Sequence, residues 1–372
     1  MKEKLTVFKH SMLIVGGIVG AGFASGQEIV AFFAQYGFVS LFFMVPVFFL
    51  FYFGIKQILM FGAKRKQNTK TEKFFKFFSF FVYVLVSGSM LSGANALLSK
   101  IFVDFGFPLW SIFLVLVSTF VINFGINGLL KTSFFLVPLI IVGIVCVGVQ
   151  SSFVSTISSP AFSTDFQSIS MLFFGAISYV CFNLITANNV IEECGKKLSK
   201  KQIKKVSLIV SLVISLLISL IIIVLLINNE STLFAEMPLV DLGFLVSKFV
   251  GLSFSFVLFL SIITTIFSTH FSASNYIGLA LKNKKGRKIL PSLISSLLIL
   301  GVSLFGFGEI VKFAYPIVGA VGFIMLFNNC KLSFKSRLNS ANNEIHSASK
   351  KTKNDSACHD KVEFKNSSSI NN

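Results

Sequence analysis

The sequence is most distinctive between residues 12 and 28, where it reads MLIVGGIVGAGFASGQE. Glycine occurs five times in this apolar stretch, at Gly16, Gly17, Gly20, Gly22 and Gly26. Each glycine weakens an α-helix by roughly 1 kcal/mol relative to alanine, so the stretch predicts an interrupted helix. Within a membrane, unwound backbone has to line a cavity or be buried in protein, because lipid satisfies no amide or carbonyl. The alternative is an unbroken helix whose small residues pack against a neighbour.

The chain as a whole has the composition of a membrane protein. Hydrophobic residues make up 54% of the 372 residues and charged residues only 13%, and the apolar residues come in runs of about 20, enough for a helix to cross a bilayer. We therefore predict an all-α membrane protein of ten transmembrane helices. The predicted spans lie near residues 10–35, 38–62, 77–99, 108–125, 133–153, 168–191, 206–227, 243–270, 289–306 and 310–328.

Lysines and arginines are concentrated on one side of this topology. Of the 33 in the chain, only Lys100, Lys248 and Lys312 fall on the other side. The positive-inside rule then predicts a cell-membrane protein with both termini in the cytoplasm. The net charge of +18 is explained by this distribution, so we predict the lipid bilayer and a small-molecule solute as partners and no nucleic acid. No oligomeric state is predicted.

Two interrupted helices are predicted at corresponding places in the two halves of the chain. The sixth span is unusually polar in its middle, reading FFGAISYVCFNLITANN over 173–189. Helices 1 and 6 enter the membrane from opposite sides, which predicts a 5+5 inverted repeat over about 8–153 and 168–329. The transmembrane domain is predicted over 1–331. Residues 332–372 have almost no large apolar side chains and are predicted to be a disordered, basic cytoplasmic tail.

Two motifs resemble those of a known group of membrane proteins. The segment GGIVGAG, 16–22, is similar to the first-helix signature of the amino acid–polyamine–organocation superfamily, and FFGA, 173–176, followed by EECGKK, 192–197, resembles its sixth helix and the next loop. The longer string GAGFASGQEI, 20–29, most resembles the uncharacterised YkvI-type membrane proteins. The resemblance covers about residues 8–330. It implies a leucine-transporter-like fold.

The resemblance also implies two sets of site residues. Backbone amides near the first interruption would receive a substrate carboxylate, and the sixth helix would line the pocket; the substrate-binding residues are Gly20, Ala21, Gly22, Ser25, Phe174, Gly175, Ala176 and Tyr179. A sodium ion would lie between first-helix carbonyls and eighth-helix hydroxyls, at Gly16, Val19, Thr264 and Thr265. Some proton-coupled relatives instead carry a lysine in the fifth helix near that cation position, and residues 133–153 contain none.

Three further polar residues leave alternatives open. Thr264 and Thr265 either hold a cation or bond back to their own helix. His270 is interpreted as an interfacial residue, with a proton relay as the alternative. Glu28 is the one carboxylate inside the first span, and it either serves coupling or gating or reaches interfacial water.

The leading hypothesis for function is a cation-coupled secondary transporter of an amino acid or a similar small carboxylate-bearing solute, working by alternating access. The five cysteines form no metal-ligand or disulfide pattern, and no catalytic motif occurs, so we predict no enzyme and no cofactor; the coupling ion is sodium or a proton. A membrane-embedded ligand receptor of the spore-germinant type is the alternative. An ion channel ranks below both, because no filter motif is apparent.

The charge distribution makes a prediction about topology. A single cysteine introduced into the loop 154–167 of a cysteine-free variant should react with a membrane-impermeant maleimide added outside intact cells, and one introduced into 196–205 should react only after lysis. Labelling of 154–167 only from the cytoplasmic side would contradict ten spans.

Overall fold

The fold is taken from a computed structural model that describes residues 2–64, 70–102, 108–154, 166–228, 237–281 and 289–305, together with positions 235, 318, 319, 322 and 323. The chain divides into two units, Met1–Phe323 and Ile324–Asn372. The second unit lies outside the described residues, and so does the predicted tail. Only four positions of the predicted tenth span are described.

Helices account for almost all of the described chain. In order they are α1 Lys2–Ile18, α2 Ala21–Ala24, α3 Gln27–Phe32, a 3-10 turn Ala34–Tyr36, α4 Val39–Phe42, α5 Met44–Lys64, α6 Lys70–Ile101, α7 Leu109–Asn123, α8 Ile126–Val154, α9 Phe166–Gly195, α10 Lys200–Ile227, α11 Pro238–Val246, α12 Lys248–Ala280 and α13 Ile289–Ser303.

Six of the described helices are long and apolar enough to cross a membrane. They are Val39–Met60, Lys76–Ser99, Ile126–Phe153, Gln167–Gly195, Lys200–Ile227 and Lys248–Ala280, and Leu109–Asn123 and Ile289–Ser303 are shorter apolar helices. These eight segments correspond to predicted spans two to nine. Large aromatic side chains cover the outside of the helices, such as Phe153 at 85% and Phe249 at 80% exposed. An apolar surface of this kind suits lipid better than water.

The first span is divided into short helical pieces at the centre of the fold. Helix α1 packs against α8, α9, α10 and α12. It ends at Ile18, α2 covers only Ala21–Ala24, and α3 begins at Gln27. Gly26, between α2 and α3, has a φ of 86°, a left-handed conformation that glycine adopts without steric cost. The glycine-rich stretch therefore does not form one continuous helix.

The sixth span differs from its prediction, because α9 is a continuous helix over Phe166–Gly195. Its polar side chains bond back to the helix instead of replacing its backbone bonds. Asn183 Nδ2 donates to the Tyr179 carbonyl at 2.9 Å, and Thr186 Oγ1 donates to the Phe182 carbonyl at 2.9 Å. Such i to i−4 bonds satisfy a buried polar group without unwinding the helix. The predicted interruption of helix 6 is therefore wrong for this structure.

The predicted eighth span, 243–270, also differs, because the structure divides this stretch between two helices. The chain forms the short helix α11 first and then begins α12 at Lys248. Ser247 separates the two helices in an extended conformation, and its hydroxyl accepts a bond from the Val250 amide at 3.2 Å. This is an ordinary N-cap. An apolar run alone does not reveal the change of direction, because both helices are apolar.

Helices α5 and α9 cross at a pair of glycines. A Cβ atom added to Gly62 would overlap the carbonyl oxygen of Glu192, and one added to Gly195 would overlap the carbonyl oxygen of Leu59. Each obstacle is backbone, which has little room to shift. The two glycines therefore let the two backbones approach closely, as small residues do in membrane helix pairs.

We expect Gly62→Val and Gly195→Val each to lower stability by about 1–3 kcal/mol or more, the usual cost of overpacking. The check is the melting temperature and folded yield of the purified variants in detergent. Gly301→Val in α13 is the matched control, because among the described residues no atom outside its own helix backbone lies within 4 Å of a Cβ placed there. Melting temperatures equal to that of the control would contradict the crossing.

Candidate functional site

The interruption after α1 changes the backbone hydrogen bonds between Gly16 and Ala21. The Gly20 amide donates to the Ile18 carbonyl at 2.9 Å instead of to Gly16, four residues back. The Ala21 amide leaves the helical pattern as well and donates to the sulfur of Met90 on α6 at 3.4 Å. The carbonyls of Gly16 and Gly17 thereby lose the amides that an unbroken helix would supply.

Hydroxyl groups of α12 lie beside the carbonyls at and just before the interruption. Ser261 Oγ donates to the Val19 carbonyl at 2.7 Å and lies 3.1 Å from the Gly20 carbonyl. Thr265 Oγ1 lies 3.5 Å from the Gly16 carbonyl, at the long limit of a hydrogen bond. All of these residues are buried. The structure thus brings first-span carbonyls and α12 hydroxyls to one place inside the protein.

The predicted cation residues all lie at this place. Gly16 and Val19 supply carbonyls, and Thr265 faces them. Thr264 Oγ1 donates to the Ser261 carbonyl of its own helix at 2.9 Å, but its side chain is also next to Gly16: a Cβ on Gly16 would lie 3.7 Å from that hydroxyl. Uncharged carbonyl and hydroxyl oxygens are the groups that replace the hydration shell of an alkali cation.

Ser25 joins the two short helices beyond the interruption. Its hydroxyl donates to the Gly22 carbonyl at 3.3 Å and accepts from the Gln27 amide at 3.4 Å. Its carbonyl accepts from the Leu239 amide, at the start of α11, at 2.9 Å. Ser25 therefore caps local backbone groups, and it links the interrupted segment to α11.

Glu28 is buried against the interrupted segment, at 4% exposed. A Cβ placed on Gly22 would overlap the carboxylate, lying 2.6 Å from Glu28 Cγ and 2.7 Å from Cδ. Only a residue without a side chain at position 22 leaves room for Glu28 in this arrangement. A carboxyl group therefore sits beside two of the predicted substrate residues, Ala21 and Gly22. The buried position excludes the alternative in which Glu28 reaches interfacial water.

The predicted residues of the sixth span lie at the far end of the first span. Tyr179 is fully buried, with its ring centroid 5.3 Å from that of Phe32 and 5.2 Å from that of Phe33. A Cβ on Gly175 would lie 3.5 Å from the Phe32 carbonyl oxygen. Ala176 is buried at 3% exposed. Tyr179 and Gly175 thus lie beside Phe32 and Phe33 at the end of α3, and Ala176 lies on the buried face of α9.

The prediction that Phe174 lines the pocket is wrong for this structure. Its side chain is 68% exposed and stacks edge to face on Phe173. Leu172 and Ala176 mark the buried face of α9, and Phe174 is two residues from each. Two residues along an α-helix correspond to a rotation of about 200°, which directs Phe174 away from that face.

The interfacial interpretation of His270 is also wrong, because its side chain is completely buried, at 0% exposed. It contacts α7 and α13 and lies on the side of α12 away from the first span.

The N-terminal end of α1 is held by an exposed ion pair. Lys205 Nζ of α10 lies 3.0 Å from Glu3 Oε1. The hydrogen bond and charge of Lys205 keep the pKa of the Glu3 carboxyl below its usual value. Exposed pairs of this kind contribute little to stability, so we give the pair a positioning role only.

Two contributors to the site were not assigned from the sequence. Ser261 makes the shortest bond to the released carbonyls, and its position four residues before Thr265 was a usable signal, since residues i and i+4 share a helix face. Met90 gives no such signal, because its sulfur reaches Ala21 only through the packing of α6 on the first span.

The chain resembles one curated protein of unassigned function. No protein-family model matches it. It is 25% identical over 342 residues to the uncharacterized membrane protein YkvI of Bacillus subtilis, covering 86% of this chain and 94% of that protein. The predicted resemblance to YkvI-type proteins is therefore confirmed at the level of weak sequence similarity.

Solved structures share the fold at low identity. MhsT in complex with L-phenylalanine has a TM-score of 0.61 and 14% identity over 86% of this chain and 87% of its own. Mhp1, a nucleobase-cation-symport-1 family transporter, has a TM-score of 0.55 and 11% identity over 85% and 77%. The Eremococcus coleocola manganese transporter has 0.54 and 12% over 87% and 75%.

These similarities show that the chain is a membrane protein with the leucine-transporter-like fold. In sequence the chain is similar to YkvI, itself an uncharacterized membrane protein. Two of the three structures are described as transporters.

Gly22→Val should displace the Glu28 carboxylate and restrict the backbone after the interruption. We expect sodium chloride and a mixture of amino acids to raise the melting temperature of the wild type, and we expect Gly22→Val to abolish that increase. The control is Gly143→Val in α8, where a Cβ would lie 2.5 Å from Val257 Cγ2; it should lower the melting temperature and leave the ligand-induced increase intact. An unchanged increase in Gly22→Val would mean that the glycine serves packing alone.

Proposed function

We propose that this protein is a secondary transporter that couples a cation to the movement of an amino acid or a similar small carboxylate-bearing solute. The observation that carries the proposal is the meeting of Ser261 and Thr265 with the carbonyls of Gly16, Val19 and Gly20. Interrupted helices at membrane depth are the usual ion and substrate sites of secondary transporters. The shared fold of the two transporters described above supports the same function.

The proposed coupling ion is sodium. Its ligands are the carbonyls of Gly16 and Val19 and the hydroxyls of Thr264 and Thr265, with Ser261 beside them. None of these oxygens carries a formal charge, which suits a monovalent cation, and the hydroxyls stop bonding to the carbonyls when both turn toward the ion. The absence of a lysine from residues 133–153 favours sodium over a proton.

The proposed solute site is the interrupted segment from Gly20 to Ser25, closed on the far side by Tyr179 and Ala176 of α9. A structure of the same fold holds L-phenylalanine, which supports a solute of amino-acid size. Glu28 is the proposed coupling or gating group, because its carboxyl group packs against Gly22. Moving that group changes the shape and charge of the segment that meets the solute.

The proposed topology completes ten spans, with the tenth at 310–328 and both termini in the cytoplasm of a cell-membrane protein. Its support is the distribution of lysine and arginine between the loops. The five-plus-five repeat is proposed for the order of the spans, with an interrupted helix 1 and an unbroken helix 6.

Thr265→Ala and Ser261→Ala should each raise the sodium concentration needed for half-maximal stabilisation by about tenfold or more, since a hydrogen-bonding group to a charged partner contributes about 1.5–3 kcal/mol. The measurement is melting temperature against sodium chloride, with potassium chloride keeping the ionic strength constant. Ser272→Ala is the matched control, because its hydroxyl donates to Ser268 of its own helix.

Sodium affinities that are the same in all three variants would refute this cation site. Stabilisation by a solute without any dependence on sodium would instead favour proton coupling or a receptor.

A further inference from the structure

A second polar cluster joins three helices at His270, away from the interrupted span. The Nδ1 atom of His270 lies 2.8 Å from Ser118 Oγ of α7. Its Nε2 atom lies 3.0 Å from Ser295 Oγ and 3.3 Å from Ser296 Oγ of α13. All four side chains are buried. One imidazole ring therefore connects α12 to α7 on one side and to α13 on the other.

The hydrogen-bond pattern assigns the protons of this cluster. The Ser295 hydroxyl donates to the Pro291 and Ser292 carbonyls at 3.0 and 2.9 Å, and the Ser296 hydroxyl donates to the Ser292 carbonyl at 2.6 Å. Both oxygens are then acceptors toward the ring, so Nε2 carries the hydrogen. Nδ1 is left as the acceptor for the Ser118 hydroxyl. This is a neutral imidazole with one donor and one acceptor, both used.

The cluster lies on the side of α12 opposite the cation residues. Successive residues of an α-helix are rotated by about 100°, so His270 lies about 180° around the helix from Ser261 and about 140° from Thr265. A rotation of α12 that loosened the His270 bonds would also carry Ser261 and Thr265 away from the first-span carbonyls.

A second polar contact holds α12 at Thr269, which shares a helix face with Thr265, four residues before it. Thr269 Oγ1 lies 2.5 Å from Ser87 Oγ of α6 and donates to the Thr265 carbonyl at 2.8 Å, so the Ser87 hydroxyl is the donor to Thr269. Apolar packing is non-directional and leaves a helix free to turn, whereas hydrogen bonds fix an angle as well as a distance. The imidazole contacts opposite the cation residues and the hydroxyl contact on the same side as Thr265 thus together define the rotation of α12.

We propose that His270 is a positioning residue for the cation site. Its neutral ring clamps α12 between α7 and α13 and so fixes the rotation at which Ser261, Thr264 and Thr265 face the carbonyls of Gly16 and Val19. The inference rests on the proposed function, because it assumes that this site binds sodium. In this role the buried His270 affects the affinity for sodium without contacting the ion or the solute.

The test is the half-saturating sodium concentration of purified full-length variants, read from melting temperature as sodium replaces potassium at constant ionic strength. His270→Leu introduces an apolar side chain of similar volume and removes both hydrogen bonds of the ring. It should raise that concentration about threefold to tenfold. His270→Gln keeps one donor and one acceptor and should restore it to within about twofold of the wild type. Ser118→Ala removes only the bond to Nδ1 and should give a smaller rise.

A matched control separates positioning from loss of stability. Ile299 of α13 is completely buried and apolar, so Ile299→Ala should lower the melting temperature without changing the half-saturating sodium concentration. If His270→Leu does not fold, Ser118→Ala decides the question. Wild-type sodium affinity in His270→Leu or Ser118→Ala, or equal losses in His270→Leu and His270→Gln, would overturn the positioning role alone. A wild type with no preference for sodium over potassium would overturn the cation site as well.

Discussion

The bond from Ser261 to the carbonyls of Val19 and Gly20 is the contact on which the rest of the arrangement depends. A helix that stops in the middle of a membrane protein leaves carbonyls that lipid does not satisfy. Here Ser261 of α12 donates to the Val19 carbonyl and Thr265 lies 3.5 Å from the Gly16 carbonyl, so the interrupted first span and α12 have to stay side by side. Neighbouring segments pack around this pair. Helices α5 and α9 approach closely at Gly62 and Gly195, and the Leu239 amide of α11 donates to the Ser25 carbonyl.

The sequence was a good guide where a local cause produced the structure. Five glycines in one apolar stretch predicted the interruption, and the family resemblance implied that eighth-span hydroxyls lie beside its carbonyls. It was a poor guide where the structure depended on which hydrogen-bond partner a polar side chain takes. Asn183 and Thr186 were interpreted as signs of unwinding, but each bonds to its own helix. The burial of His270 depends on serines of two other helices, which no local pattern reveals.

The fold is shared with solved structures at only 11–14% identity, so the backbone architecture is much better retained than the sequence. Function therefore has to be argued from the site. A carboxyl group packed against Gly22 distinguishes this site, because it places an acidic group beside the segment proposed to receive a carboxylate. Binding of an anionic solute group then requires Glu28 to move, to become protonated or to pair with a cationic group of the same solute.

The central claim is that cation and solute meet at the interrupted first span and cross the membrane together. Its most direct test is uptake of a radiolabelled amino-acid mixture into proteoliposomes under an imposed sodium gradient, compared with an imposed proton gradient and with no gradient. The account predicts accumulation that follows the inward sodium gradient and disappears when potassium replaces sodium. Solute binding by the purified protein with no uptake under either gradient would contradict it and would favour a receptor.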